Sequence, residues 1–476
     1  MPLLEGLHPV GLALATLLPW LAGCGAVRCW LGPVPTTLLL GHGYLLGQLL
    51  AVLLLLTWDA LGFTLAWWPL ATALAAFGAG LWALSLRRHP AHWRPTVCLS
   101  PADLLWLLPL AWFLWSRGSV LVAELALRPL FAWDAWMNWV PRAVVWFEHG
   151  SLTEFVLPPA WLAAAPGSEL YTLGNWRAGA YPPGVPLLLL WQMLGAGTFD
   201  HTLLYLPWLL LAAACALALW GHLRLVGLGR VPTAIAVYLL LSMPLLTTHA
   251  VLPGYADLWL GVCFTLGAMA LAQWQHSGER RYAGLALALA LFCTLLKTPG
   301  TGFALLLVLA TLLFWWRPPA AWVRATVLGG LLLLLAGLLA GLNPELVRYL
   351  QEQPVLALPG HLPALKLQLS PLLPYLGQTF FVYDNWHLLG VLLLAALLAR
   401  VLACGPASLN SIALLLLTGG AVVLALVFGF TQYGQRLEQG ITFHRSFLYL
   451  TPLAVFVAFA CLQPLLPRAA AGRAQE

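Results

Sequence analysis

Charge is what this chain has least of. Asp, Glu, Lys and Arg make up 8% of its 476 residues, and just two are lysines, Lys297 and Lys366. A water-soluble domain carries about a quarter charged residues, so a soluble fold is excluded. Basic residues number 22 against 16 acidic ones, and they form no dense cluster. They punctuate the ends of apolar runs, which excludes a nucleic-acid binder and matches cytoplasmic anchors. The eight cysteines (Cys24, Cys29, Cys98, Cys215, Cys263, Cys293, Cys404 and Cys461) include no CxxC pair and no Cys/His cluster. Neither a zinc site nor a disulfide framework is encoded. A Gly-rich nucleotide-phosphate loop is also missing. Short alternating segments, the mark of a membrane β-barrel, do not occur.

Long apolar runs are there instead. The chain is 62% hydrophobic, with a mean hydropathy of +0.88. In lipid the backbone must satisfy its own hydrogen bonds, so these runs predict helices. Runs of spanning character occur at 9–31, 36–57, 62–86, 103–122, 199–222, 231–250, 254–275, 281–297, 299–316, 321–342, 387–403, 408–430 and 445–466. The expectation is an all-α polytopic membrane protein of about thirteen spans. Its segments are N-terminal helices over 1–102, a module over 103–342 with an external loop at 123–198, and a loop with C-terminal helices over 343–476. Leu21-Ala22-Gly23-Cys24 resembles a lipoprotein cleavage site, but the preceding residues lack a positive n-region, so a retained first span is expected.

Arginines set the orientation. Arg87, Arg88, Arg224, Arg230, Arg280, Arg281, Arg317, Arg324, Arg400, Arg468 and Arg473 all fall on one side if the N-terminus is outside and the C-terminus inside. This requires that Pro183–Gly197, too short for a span, lie on the surface or re-enter. The external face then collects the loops 123–198, 343–386 and 431–444.

The unusual polar residues gather on that face. Asp134 sits among aromatics in RPLFAWDAWMNWVPRAVVWFEHG, flanked by Arg128 and Arg142. Tyr181-Pro182-Pro183 closes the loop. Asp257 starts the seventh run, Lys297 ends the eighth, Tyr383-Asp384 precedes the eleventh, and His444-Arg445 opens the thirteenth. Each has a structural alternative. Asp134 and Asp257 suit helix caps, Tyr181-Pro182-Pro183 a helix start, Lys297 a snorkelling end, and His444 with Arg445 interface anchors. A carboxylate at membrane depth is nevertheless costly, which favours function for Asp134.

Carboxylates facing Lys and Arg suit a reaction on an anionic lipid. The cations hold a phosphate and stabilise a phosphate leaving group. The carboxylate deprotonates an acceptor hydroxyl or holds a divalent metal, for which Asp134 is the candidate. This describes glycosyl transfer from a polyprenyl-phosphate sugar. The ordered segments WDAWMNWVPRA…EHG, AYPPGVPLL, GYADLWL, LLKTPG and FHRSFLYLTP resemble the polytopic GT-C glycosyltransferases. They are most similar to phospholipid-carrier-dependent bacterial members, relatives of the lipid A aminoarabinose transferase and of protein O-mannosyltransferases. The resemblance covers about Leu104 to Pro452.

It implies Asp134 at the active site, Asp257 as a second carboxylate, and Lys297 with Arg445 on the carrier phosphate. It also implies inversion by direct displacement. Members often carry an Asp-Glu pair where this chain has Asp134-Ala135, and a carboxylate shortly after the lysine where it has Thr298-Pro299. The expected enzyme sits in a bacterial inner membrane with its site facing the periplasm. Its substrates are a polyprenyl-phosphate sugar and a glycan, lipid or protein acceptor, with Tyr181, Tyr383, Asp384, His444 and Arg142 lining the site. The competing expectations are an O-antigen polymerase or ligase, with its catalytic loop around 343–386, and a lipid-linked sugar flippase. A flippase tends to show internal repeats and mid-membrane charges, and neither is evident here.

Overall fold

The computed structural model describes residues 6–89, 101–128, 131–252, 254–315, 329–330, 355–356, 365–366 and 370–466. All of the expected run at 321–342 except 329–330, about half of the 343–386 loop, and Arg317, Arg324, Arg468 and Arg473 lie outside the described residues. Eighteen helices follow in order: α1 (Pro9–Leu31), α2 (Thr36–Ala60), α3 (Trp67–Arg88), α4 (Pro101–Leu127), α5 (Val140–His149), α6 (Pro158–Leu162), α7 (Gly184–Ala196), α8 (Leu206–Leu225) and α9 (Arg230–Ser242). Then come α10 (Pro244–Val251), α11 (Asp257–Ser277), α12 (Arg281–Leu296), α13 (Gly300–Trp315), α14 (Leu372–Gly377), α15 (Leu389–Cys404), α16 (Ile412–Phe430), α17 (Ile441–Ser446) and α18 (Thr451–Leu462). Among the described residues, the one pair of strands, Val355–Leu356 against Leu365–Lys366, is antiparallel, each strand two residues long.

The chain is an all-α membrane protein by the length and composition of these helices. Among the described residues, seven helices are long and apolar enough to cross a bilayer: α1 to α4, α8, α11 and α16. Two bent pairs bring the number to nine, α9 with α10 at 61° and the α17 segment with α18 at 50°. Both bends have a proline at the start of the second member, Pro244 and Pro452, whose missing N–H breaks the ladder. The runs expected at 281–297, 299–316 and 387–403 form α12, α13 and α15, each of 16 residues. That is shorter than the about 20 residues a perpendicular span uses.

The helices divide between two compact units. The first comprises 1–221, 247–263 and 291–300; the second comprises 222–246, 264–290 and 301–476. In the first unit α1 and α2 cross on glycines. Gly43 and Gly47, four apart on α2, meet Cys24 and Pro19 of α1 so closely that a Cβ on either would overlap them. Small residues at this spacing let two backbones touch, which drives helix association where no hydrophobic force acts between them. Cys24 is thus a buried packing residue inside α1.

Pro19 of α1 lacks the N–H that would bond the Ala15 carbonyl. Helix α7 supplies the missing donors: Trp191 Nε1 donates to Ala15 O at 2.8 Å and Gln192 Nε2 at 3.4 Å. All thirteen residues of α7 are buried, and it packs on α1, α2 and α5. Of the two expectations here, surface-lying and re-entrant, this burial goes against the first and leaves the second open. The run has no polar face to present to water, and its two polar groups are used on the α1 carbonyl.

In the second unit Gln275 of α11 reaches the start of α16. Its Nε2 donates to Asn410 O and its Oε1 accepts from Ile412 N, both at 2.9 Å. The break between α9 and α10 is closed by the 383–388 turn. His387 Nε2 lies 3.0 Å from Ser242 O, and Leu245 N donates to Asn385 O at 3.4 Å. His387 is the one non-glycine residue with left-handed backbone among those described, at φ +49. Its bonds to Ser242 and to Asp384 Oδ1, 3.1 Å away, offset that strain.

Candidate functional site

Asp134 precedes a π-helical turn, Ala135–Trp139, that leads into α5. Turns of this kind are frequent at functional sites. Asp134 is 8% exposed and accepts no capping hydrogen bond from the turn it starts. Capping therefore does not account for it. Trp133 and Trp136 on either side are exposed, while Asp134 between them is buried.

Four of the five motif segments meet inside the first unit. Gly254 (φ +93) lies against Ala135 so tightly that a Cβ at 254 would overlap the Ala135 methyl. This joins the WDAW turn to the GYAD segment. Ala135 is fully buried. A carboxylate at 135 therefore has no room, which is the physical reason an acidic pair is not built here. Trp139 and Tyr181 rings stand 5.5 Å apart, joining WDAW to the YPP corner. A Cβ on Gly184 would come 2.5 Å from Leu295 O, joining that corner to the end of α12. Lys297 Nζ then donates to Asp257 Oδ1 at 2.7 Å, which returns the circuit to the start of α11. Asp257 is 1% exposed and the Lys297 side chain 18%. A charge-assisted bond of this length, with one partner fully desolvated, is a strong one.

Arg142, expected among the residues lining the site, bonds backbone carbonyls. It is buried on α5, and its Nη1 donates to Tyr181 O at 2.7 Å and Ala178 O at 3.3 Å. Its guanidinium lies over Trp146, 5.0 Å from the ring centre, and 5.9 Å from that of Phe155. Burial pulls it down to about 10, so it stays charged at neutral pH. Arg142 thus ties the YPP corner to α5 through the backbone. Arg128 is a surface residue, paired with Glu124 one turn earlier at 2.6 Å. Such a pair contributes little.

Tyr383, Asp384, His444 and Arg445 belong to the second unit. Tyr383 stands edge-on to His444 at 5.2 Å. Asp384 is 77% exposed and bonds His387. His444 Nδ1 is 2.9 Å from Thr379 Oγ1. Arg445 is half-buried and has a partner of its own.

Among the described residues no three His, Cys, Asp or Glu side chains gather closely enough to hold a metal ion. With Ala135 beside Asp134, the described donor set does not fit a metal centre. Sequence reasoning missed Gly254, Gly184, Thr379 and His387. The two glycines stand inside quoted motifs and were visible there. Thr379 meets His444 across 65 positions and carries no local signal.

The chain matches no protein-family model, no curated protein and no solved structure.

Proposed function

We propose that this protein is an integral membrane glycosyltransferase. It moves a sugar from a polyprenyl-phosphate carrier to a glycan, lipid or protein acceptor, with inversion, at the periplasmic face of a bacterial inner membrane. The fold in this reading is a GT-C-like arrangement of thirteen spans. One observation carries it: four segments that are far apart in sequence and resemble GT-C motifs converge in one compact unit around Asp134, Asp257 and Lys297.

Asp134 accepts the proton of the attacking acceptor hydroxyl, or orients that hydroxyl. Its position at the first external loop, uncommitted to helix capping, supports this. Lys297 engages the carrier phosphate and stabilises its charge as the glycosidic bond breaks. Asp257 holds the Lys297 ammonium in place, and Tyr181 forms a wall set by Arg142.

The test is transfer by purified full-length protein, with donor and acceptor identified from cells. Mass spectrometry of surface glycans and lipids with and without the protein should reveal a missing sugar. Asp134→Asn should keep the wild-type unfolding midpoint and lose transfer by at least about 100-fold, the typical size of a general-base contribution. Wild-type turnover in that variant would sink the assignment. Unchanged surface glycans together with impaired substrate export would favour a flippase.

A further inference from the structure

The Thr379 hydroxyl has one hydrogen to give. It donates it to the Tyr375 carbonyl, 2.7 Å away and one helical turn earlier. The same oxygen lies 2.9 Å from His444 Nδ1. With its hydrogen committed, the hydroxyl can only accept from the ring. The hydrogen of that second bond therefore sits on Nδ1. In a neutral imidazole the other nitrogen, Nε2, then carries a lone pair.

The ring is held in this orientation. Tyr383 meets it edge-on at 5.2 Å and Phe443 flanks it at 6.1 Å. Gly440 sits beside Nε2 in the left-handed region at φ +67, where a Cβ would come within 2.8 Å of that nitrogen. Glycine is required there for both backbone and access. His444 is half-buried, and among the described residues no donor meets Nε2. The neighbouring Tyr383 offers a half-exposed ring beside the imidazole. A lone pair accepts hydrogen bonds and repels anionic oxygen. Arg445 follows His444 directly, and consecutive helix residues face different directions.

We propose that His444 Nε2, with the Tyr383 ring, forms a subsite for a neutral, hydroxyl-rich ligand, a carbohydrate, and not for the carrier phosphate. Thr379 is its positioning residue, fixing which nitrogen faces the ligand. The glycosyl-transfer reading enters only in the choice of carbohydrate as the ligand class.

The test uses full-length protein in lipid nanodiscs with 15N-labelled histidine, the His444 signals being identified by their loss in His444→Asn. Wild-type His444 should show hydrogen on Nδ1 and a bare Nε2. Titration with methyl glucoside, methyl galactoside and methyl mannoside should shift Nε2 toward a hydrogen-bonded value for at least one of them. Inorganic phosphate should leave it unmoved. Thr379→Val should abolish the tautomer preference and weaken glycoside binding about tenfold, the equivalent of one hydrogen bond, and Thr379→Ser should restore both. Hydrogen on Nε2 in the wild type overturns the proposal. So does a response to phosphate alone, or no response to any probe. None of these readouts needs turnover, so failure of the Asp134 experiment leaves this result standing, and the reverse also holds.

Discussion

Replacing Lys297 with methionine should unfold the first unit far more readily than replacing its partner. The two ends of this pair are unequally buried: Asp257 is 1% exposed, while 18% of the Lys297 side chain reaches the surface. Lys297→Met keeps the side-chain length and leaves the Asp257 carboxylate desolvated without its cation. Breaking a buried pair in this way costs about 3–5 kcal/mol. Asp257→Asn leaves the opposite residue. The ammonium retains some access, and its four-carbon stem can carry it toward water. That change removes one charge-assisted bond and should cost about 1.5–3 kcal/mol. The double variant Asp257→Asn with Lys297→Met removes both charges, so it should recover at least about 1 kcal/mol relative to the sum of the singles. The assay is unfolding of purified protein in mixed detergent micelles, followed by the fluorescence of its 25 tryptophans and by circular dichroism. If Lys297→Met is no more destabilising than Asp257→Asn, or if the two effects simply add, the argument from unequal burial is wrong.

Four further outcomes follow from packing. Gly254→Ala, forced into left-handed backbone against Ala135, should cost about 2–4 kcal/mol by unfolding midpoint, combining backbone strain with overpacking. Ala135→Glu should fail for the same reason, giving a protein that expresses poorly instead of one that gains metal dependence. Arg142→Leu should cost about 2–3 kcal/mol by removing charged donors from the Tyr181 and Ala178 carbonyls. Arg142→Lys should recover only part of this, because lysine lacks the planar fork that both bonds these carbonyls and stacks on Trp146. Trp191→Phe should cost about 1–3 kcal/mol, since the Ala15 carbonyl, left without a helical donor by Pro19, then keeps only the longer bond from Gln192.

Much of the helical organisation was legible in the residue order. Nine of the expected runs coincide with long or bent apolar helices, because hydropathy over about 20 residues reports directly on what a bilayer tolerates. The two bends were also readable, from Pro244 and Pro452 inside apolar runs. The Gly43–Gly47 spacing stood in the sequence unread. For helix α7 the surface-lying alternative fails and the re-entrant one stands, for a physical reason. Its length argued against a span, but length says nothing about whether other helices enclose it. The site was legible as a set of candidates, since charge is so scarce that each exception stands out. Which candidates pair was not legible. Arg142, grouped with ligand-binding residues, is spent on backbone carbonyls, and Asp257 is held by Lys297.

The sequence by itself determined that this is a helical membrane protein with a handful of costly polar groups. Apolar runs and the backbone's need for internal hydrogen bonds admit no other reading. Tertiary structure alone decided what those groups do to each other. Lys297 and Asp257 are 40 positions apart, and Thr379 and His444 are 65 apart. Only the packing of their helices brings each pair within 3 Å. Whether a half-buried lysine is a paired cation, and which imidazole nitrogen bears the hydrogen, are set by partners that no local pattern encodes.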